Sequence, residues 1–347
     1  MTRNLSAMPT LAQIARLAGV SVPTASRVVN GRENVAPATR LRVEEVIRRT
    51  GYARRPRADE AGAQPLVDVL VPNLDSPWCG EILRGVEEAA SETGLGMVLS
   101  GRLRLNRSGS PGGGWFDGHR ARGTSGVLFV HAELTPTQHL WMSRRRIPSV
   151  MVAPSAEPPR GMPVVTAANR SGGGSAAEHL LALGHRRIAV IGGPQRLLCS
   201  TQRLAGFRAA LDAGGVRHRG EYVRRITLKP GSTEQVTEEL LDLPEPPTAV
   251  FVCADEMAVD VMRVAARRGL RVPRDLSVVG FDDIPGARWT TPELTTVHQP
   301  IAEMAAVGMR ALADVMYGRP PATQHTVLPT RLVIRATTAP PPRLPSH

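Results

Sequence analysis

The most specific chemistry in this chain sits in the run Ser21, Val22, Pro23, Thr24, Ser26 and Arg27. A guanidinium such as Arg27 can donate two parallel hydrogen bonds to the acceptor edge of a guanine, a pairing worth about 1–3 kcal/mol of discrimination. Hydroxyls at a helix N-terminus, as Ser21 and Thr24 would be, suit phosphate oxygens. Val22 and Pro23 offer apolar contact only, for instance to a thymine methyl. This is recognition chemistry, and bond-making chemistry has no comparable carrier. The spacings HExxH, CxxC, GxSxG and GxxxxGK followed by Ser or Thr do not occur, and the nine His are scattered without metal-ligand spacing. No enzyme activity, metal or cofactor is therefore expected. The competing use of Arg27 is an ion pair with the protein's own acids.

Such groups need rigid elements to hold them. Leu11, Ile14, Ala15 and Ala18 recur at helical spacing, which predicts a short first helix with Gln13 and Arg16 in water. Gly19 can adopt the left-handed conformation that closes it, Ser21 is a good N-cap, and Pro23 falls in a first turn where its missing amide costs little. A second helix is predicted from Val22 to Val29, with Ala25, Val28 and Val29 available for packing and Thr24, Ser26 and Arg27 outward. A third, from Pro37 to Thr50, is expected to bury Leu41, Val43, Val46 and Ile47, to leave Arg40, Arg42, Arg48 and Arg49 wet, and to end at Gly51. Three such helices make a helix-turn-helix unit whose second helix enters the major groove. The competing arrangement is a plain helical hairpin in a core, and charge decides against it. Residues 1–60 hold eleven Arg against five acids, so +6 of the net +12 lies there, the footprint that phosphate contacts and counterion release require. Overall basicity is weaker evidence, because 42 of the 43 basic residues are Arg, a bias that a GC-rich coding sequence would also produce.

At 347 residues the chain exceeds one typical domain. Strands are predicted from Leu66 to Val71, Gly96 to Leu99, Val127 to Val130, Ser149 to Val152, Ile188 to Ile191, Ala249 to Val252 and Ser277 to Val279. Helices are predicted from Glu81 to Glu92, Ser175 to Leu183, Arg203 to Ala213, Glu234 to Leu241 and Asp255 to Arg268. Strand and helix in turn imply parallel sheets covered on both faces. Ligands of such sheets bind beyond the carboxyl ends of the strands, here the loops after Val71, Val152, Ile191, Val252 and Gly280.

The run TLAQIARLAGVSVPTASRVVNG, followed by VAPATRLRVEEVIRRTGY, resembles the DNA-binding head of LacI-type transcriptional regulators, the LacI/GalR family. The resemblance continues through VPNLDSPWCGEILRGVEEAA, EHLLALGHRRIAVIGGP, RLAGFRAAL, DEMAVDVMRVAARRGLRVPRDLSVVGFDDIP and LTTVHQPIAEMA, and so covers most of the chain. It implies a small all-α helix-turn-helix head and an α/β two-lobed body like that of periplasmic binding proteins, with two parallel doubly wound sheets. On this basis residues 1–53 are the head, 54–65 a hinge or linker, 66–340 the effector-binding and dimerisation body, and 341–347 a tail. The implied function is a sequence-specific repressor, a cytoplasmic homodimer on a palindromic operator, whose grip is controlled by a sugar-like effector between the lobes.

Residue by residue, the resemblance assigns DNA contact to Thr10, Ser21, Val22, Pro23, Thr24, Ser26, Arg27, Asn30, Thr39, Tyr52 and Arg55, with Val22, Pro23 and Arg27 at base-contacting positions. It assigns a minor-groove hinge to Ala53 to Gln64, with Arg57, Ala58 and Ala61 as candidates. Ala61 stands where the family wedges a Leu between base steps, Asp59 and Glu60 precede it, and Pro56 lies inside the segment. The hinge is therefore expected to bend DNA less or to stay a flexible linker. Effector contacts are implied for Ser76, Trp78, Arg203, Asp255, Asp282, Trp289 and Gln299, Arg203 matching an arginine that clamps polar ligand groups. Three departures stand against these: Ala254 for an Asn, Ala168 for an Asp, and Ala153 with Pro154 for a polar pair. They fit either a ligand less hydroxylated than a simple sugar or a pocket of reduced affinity. The competing roles are structural, with Asp255 and Asp282 as helix caps and Trp78 as lobe filler.

Gly101 to Gly123 is rich in Gly and Pro where a crossover helix would run, so a mobile loop or a degraded helix is expected. Gly172 to Gly174 reads as the small-residue start of a helix. Cys79, Cys199 and Cys253 are isolated and odd in number, which fits a reduced cytosol better than a disulfide framework. No run approaches the ~20 apolar residues of a membrane span, and no secretory apolar core is found. The alternative function is a solute-binding receptor whose N-terminal helices serve assembly only. The basic head and the missing export signal favour the regulator.

Overall fold

The computed structural model describes residues 11–29, 35–50, 64–101, 123–217, 219–227, 229–319 and 323–342. Helices α1 (Leu11–Ala18), α2 (Val22–Val29) and α3 (Pro37–Thr50) match the expected spans. Gly19 takes φ +63° and ends α1. The Thr24 amide donates to Ser21 Oγ at 3.3 Å, as an N-cap requires. Ile14, Ala18, Val28 and Val43 form the buried centre, with Val20, Val35, Val46 and Ile47 packed around it. Leu41, expected inside, is 67% exposed. At about 100° per residue it lies on the far side of α3 from Val43, whose stripe continues through Val46 and Ile47.

The body begins with a first lobe of β1 (Leu66–Val71), α4 (Pro77–Thr93), β2 (Gly96–Gly101), β3 (Gly126–Val130), α5 (Pro136–Arg144), β4 (Ser149–Val152) and β5 (Val164–Ala167). The chain crosses at Ala168 into a second lobe of α6 (Asn169–Ala182), β6 (Ile188–Gly192), α7 (Leu198–Ala213), β7 (Val223–Arg225), α8 (Ser232–Leu241), β8 (Ala249–Val252), α9 (Asp255–Arg267), β9 (Ser277–Asp282) and β10 (Thr295–His298). It returns through Gln299 and Pro300 to α10 (Ile301–Met316) and β11 (His325–Leu328) of the first lobe, then crosses once more to β12 (Arg331–Val333). The sheet orders are β11-β5-β4-β3-β1-β2 and β12-β10-β9-β8-β6-β7. All pairings are parallel except β10 with β12, which departs from the all-parallel expectation because the last crossover brings the chain back in the opposite sense. Helices cover both faces, as the apolar runs of the strands demand. On the second sheet, for example, Ala177 and Phe207 pack on one face and Leu240 and Val261 on the other.

Several elements start earlier than expected or escaped notice. Pro77 at the first turn opens α4 before Glu81, and α7 opens at Leu198 before Arg203. Helix α5 buries only Met142 and is defined instead by a Thr135/Gln138 capping box. Helix α10, outside the predicted set, buries Ile301, Met304, Ala305, Gly308, Met309 and Leu312 at helical spacing. Strands β5, β7, β10, β11 and β12 span three or four residues each, too short for a periodic signal. Gly172 to Gly174 lie inside α6, not at its start, because α6 and α7 cross in close contact: a Cβ on Gly173 would sit 2.0 Å from the Arg203 carbonyl oxygen, and one on Gly206 1.8 Å from that of Arg170. The Gly101 to Gly123 segment lies almost wholly outside the described residues. No described helix is long and apolar enough to cross a membrane.

Candidate functional site

The head turns one face of α2 to solvent. Ser21, Val22, Pro23 and Arg27 are exposed, Thr24 and Ser26 are half-buried, and Ala25 and Val28 point into the core. Val22 is 45% exposed, so an apolar contact is held in water where packing could have hidden it. Arg27 has no ion pair or hydrogen bond among the described residues. Thr39 is half-buried in the first turn of α3. Thr10, Asn30, Tyr52 and Arg55, with the hinge candidates Arg57, Ala58 and Ala61, lie outside the described residues.

The second site gathers where the crossovers meet the carboxyl ends of the second sheet. The α6–α7 crossing presses Arg203 toward the cleft, and its guanidinium is spent on four partners. Nε donates to Asn169 Oδ1 at 2.9 Å, Nη1 to the Cys253 carbonyl at 2.6 Å, and Nη2 to Gln299 Oε1 at 2.6 Å. Nη1 also lies 3.1 Å from Asp282 Oδ1, and the plane rests 3.6 Å over the Phe281 ring. Among the described residues Oδ1 is buried with no well-aligned hydrogen bond, and the close Nη1 approach is an ion pair. Burial pushes the Asp282 carboxyl up to about 6, with Arg203 pulling the other way. Asn169 and Gln299 sit in the first and second crossovers, so one arginine ties both to the second lobe.

Backbone strain marks the same rim. Asp282 has φ +115°, Asp283 φ +57°, Ala153 φ +47° and His131 φ +47°, each at or just beyond a strand's carboxyl end. Asp255 holds the Asp282 turn in place: its Oδ1 accepts from Thr296 Oγ1 at 2.5 Å and its Oδ2 from the Ile284 amide at 3.0 Å. It is fully buried, and burial, then the Asp282 charge, holds its pKa well above the ordinary carboxylate range. Both oxygens of Asp255, expected as an effector contact, thus accept hydrogen bonds from within the second lobe. Gln299 is likewise buried with its carbonyl given to Arg203.

Two more candidates come from the loop after β1. Ser76 Oγ donates to Glu256 Oε1 at 2.6 Å, a direct link between lobes. Trp78 packs on the first-lobe core and meets His131 edge-on at 5.9 Å. A second interlobe link is the Leu198 amide donating to the Ser155 carbonyl at 3.0 Å, and Ser155 Oγ is buried with no hydrogen-bond partner among the described residues. Trp289 stands apart: it follows the single helical turn Pro285–Arg288 and is 81% exposed, with no side-chain hydrogen bond or ring contact among the described residues. Burial raises the Cys199 thiol and takes Cys253 to about 12, so both stay neutral beside Arg203. Asn169, Phe281, Glu256 and Ser155 escaped the sequence reading. Phe281 and Glu256 had a signal, their places next to Asp282 and Asp255.

A basic three-helix head joined to a two-lobed body, with buried polar groups gathered at the crossovers, defines a ligand-controlled DNA-binding regulator. Residues 10–55 match the model of bacterial regulatory proteins of the lacI family, and residues 177–338 match a periplasmic binding protein-like domain. The HTH-type transcriptional repressor CytR of Escherichia coli K12 is 32% identical over 333 residues, spanning 95% of this chain and 96% of the relative. Catabolite control protein A of Priestia megaterium is 31% identical over 334 residues, spanning 95% of this chain and 99% of the relative. Among solved structures, the transcriptional regulator CelR–cellobiose complex aligns with TM-score 0.68 at 33% identity, covering 95% of this chain and 99% of that one. The lac repressor dimer bound to operator and the anti-inducer ONPF aligns with TM-score 0.68 at 27% identity, covering 96% and 100%. The chain belongs to the LacI family of transcriptional regulators. With that, the alternative of a solute receptor without a regulatory role falls away.

Proposed function

We propose that α2 reads the major groove through Arg27, Val22 and Pro23, with Ser21 and Thr24 on phosphates, and that two copies of the chain bind a palindrome. The effector lies between the lobes, contacted by Asp282, Arg203, Ser76 and Trp78. Asp255, Asn169 and Gln299 position those groups. One observation carries the effector assignment: Asp282 Oδ1 is a buried acceptor without a directed donor, 3.1 Å from a cation whose other bonds are made. A ligand hydroxyl completes it, and burial makes an unmet acceptor costly. The related CelR structure is a complex with cellobiose, which makes carbohydrates the first class to screen. Ala153, Ala168 and Ala254 leave fewer polar partners than the family pattern supplies, so a ligand with an apolar face beside its hydroxyls is favoured, Trp78 supplying the matching surface. Occupancy shifts the population of lobe arrangements and with it the operator grip.

Two experiments test this reading. A thermal-shift screen of sugars and nucleosides should find a ligand that stabilises the wild type and loses most of that effect in Asp282→Asn; full retention would remove Asp282 from the site. Mobility shifts with promoter fragments at several salt concentrations should show a specific complex that Arg27→Ala weakens more than the non-specific one. Equal losses would mean that Arg27 touches phosphate alone.

A further inference from the structure

The first lobe carries a basic corner that neither the cleft nor the recognition helix uses. Helix α5 runs into Arg144, Arg145 and Arg146, all exposed. Its end closes with the Ile147 amide donating to the Met142 carbonyl at 3.1 Å and the Arg146 amide to that of Ser143 at 3.0 Å, the pattern of a Schellman motif. The left-handed position of that motif is Arg146, at φ +51°, where glycine is the unstrained choice. Strain accepted at a surface turn points to a use for the side chain. Arg146 Nη2 reaches Glu44 Oε1 on α3 of the head, 3.3 Å away. Arg145 is held with its guanidinium 4.2 Å over the Trp141 ring. Neither Arg144 nor Arg145 has an ion pair among the described residues. On the outer face of the second lobe, by contrast, Arg263 and Arg267 meet Glu234, and Arg268 meets Glu238 and Asp242. Positive charge is cancelled there and left open beside the head.

We propose that this corner is a second nucleic-acid contact: Arg146 seats the head against the first lobe through Glu44, and Arg144 and Arg145 take backbone phosphates of the duplex flanking the half-site read by α2. The proposal rests on the regulator reading given above. Guanidinium groups on a rigid helix end suit phosphate and carry no base readout. A hinge with Ala61 in place of a Leu wedge leaves more of the grip to such contacts. The competing role for Arg144 and Arg145 is to stabilise the α5 C-terminus against its own dipole.

The test uses the full chain and an operator selected by the wild-type protein from random duplexes. Affinity is measured on that operator with about one helical turn of flank on each side, and on the same operator trimmed to the palindrome, over salt from about 50 to about 200 mM. Two lost phosphate contacts per protomer, four on the palindrome with both flanks, reduce the log–log slope by about 3.6, so across a fourfold salt change the Arg144→Ala/Arg145→Ala variant should lose about 150-fold less affinity than the wild type on the long duplex. On the trimmed duplex the two should coincide. Arg146→Gly relieves the left-handed backbone and should keep or raise the melting temperature while shedding the flank-dependent affinity. Equal slopes on the long duplex overturn the proposal, and equal slopes with a lowered melting temperature assign the pair to the helix end alone. Should the wild type select no operator, the regulator reading fails by itself, and the slopes on an arbitrary duplex still decide the phosphate contact.

Discussion

Replacing Arg203 by Ala tests the structural logic of the cleft most directly. The side chain makes three directed hydrogen bonds, to Asn169, Cys253 and Gln299, and lies 3.1 Å from Asp282. Its loss strands a buried carboxylate and two buried side-chain acceptors, and removing one member of such a pair costs about 3–5 kcal/mol. A folding unit of this size loses about 2–4 °C per kcal/mol, so the melting temperature should fall by roughly 6–20 °C. The variant therefore loses stability as well as effector response. Without the cation, Asp282 rises further above about 6, so the folded variant takes up a proton more readily and its deficit shrinks as pH falls from 8 to 5. Adding Asp282→Asn removes the stranded charge and should recover about 1–3 kcal/mol. Urea denaturation of the four proteins of this cycle at both pH values supplies the numbers. A loss under about 1 kcal/mol at pH 7 with no recovery in the double variant would refute the keystone role of Arg203.

Asp282 should also shape the pH profile of the wild type. Its folded pKa of about 6 exceeds the unfolded value of about 3.9, so the folded chain binds the extra proton between them. Stability then falls by up to about 3 kcal/mol as pH rises through that window and stays level above it. The Asp282→Asn profile should lack this descent, and parallel urea-denaturation profiles would contradict the assignment. Ile14→Ala empties a fully buried head position at about 2–5 kcal/mol, more than a head of this size holds in reserve. Operator binding should vanish in mobility shifts while effector-induced stabilisation of the body persists. Two neighbouring glycines should answer in opposite directions when changed to Ala. Gly173 has a carbonyl oxygen 2.0 Å from the new Cβ, and overpacking outweighs the helix gain; Gly174 has its nearest neighbour at 3.7 Å and should gain about 1 kcal/mol. Paired melting curves check this, and a shared sign would show that the α6–α7 crossing yields more than its contacts imply.

What the amino-acid order determined by itself is the set of local decisions. Gly19, Ser21 and Pro23 specify a turn between two helices through conformations and caps that need no distant partner, and the outward Arg27 follows from helical period alone. Parallel lobes followed in the same way from strand and helix in alternation. The resemblance picked out the neighbourhood of the cleft, Arg203 and Asp282 included. The division of labour inside it came only from the tertiary structure. Asp255 and Asp282 are equivalent on paper, two acids at strand ends. Folding turns one toward Thr296 and the Ile284 amide and leaves the other with an oxygen in need of a donor. Trp289 likewise stands exposed, and Gln299 became a tie between crossovers rather than an open amide. The physical reason is range. Caps, turns and periodicity act over a few residues, whereas the burial that sets a carboxyl's pKa and the direction of a guanidinium depend on groups brought together from Asn169, Arg203, Cys253, Asp282 and Gln299, far apart in the chain and joined only when the two lobes close around three crossovers.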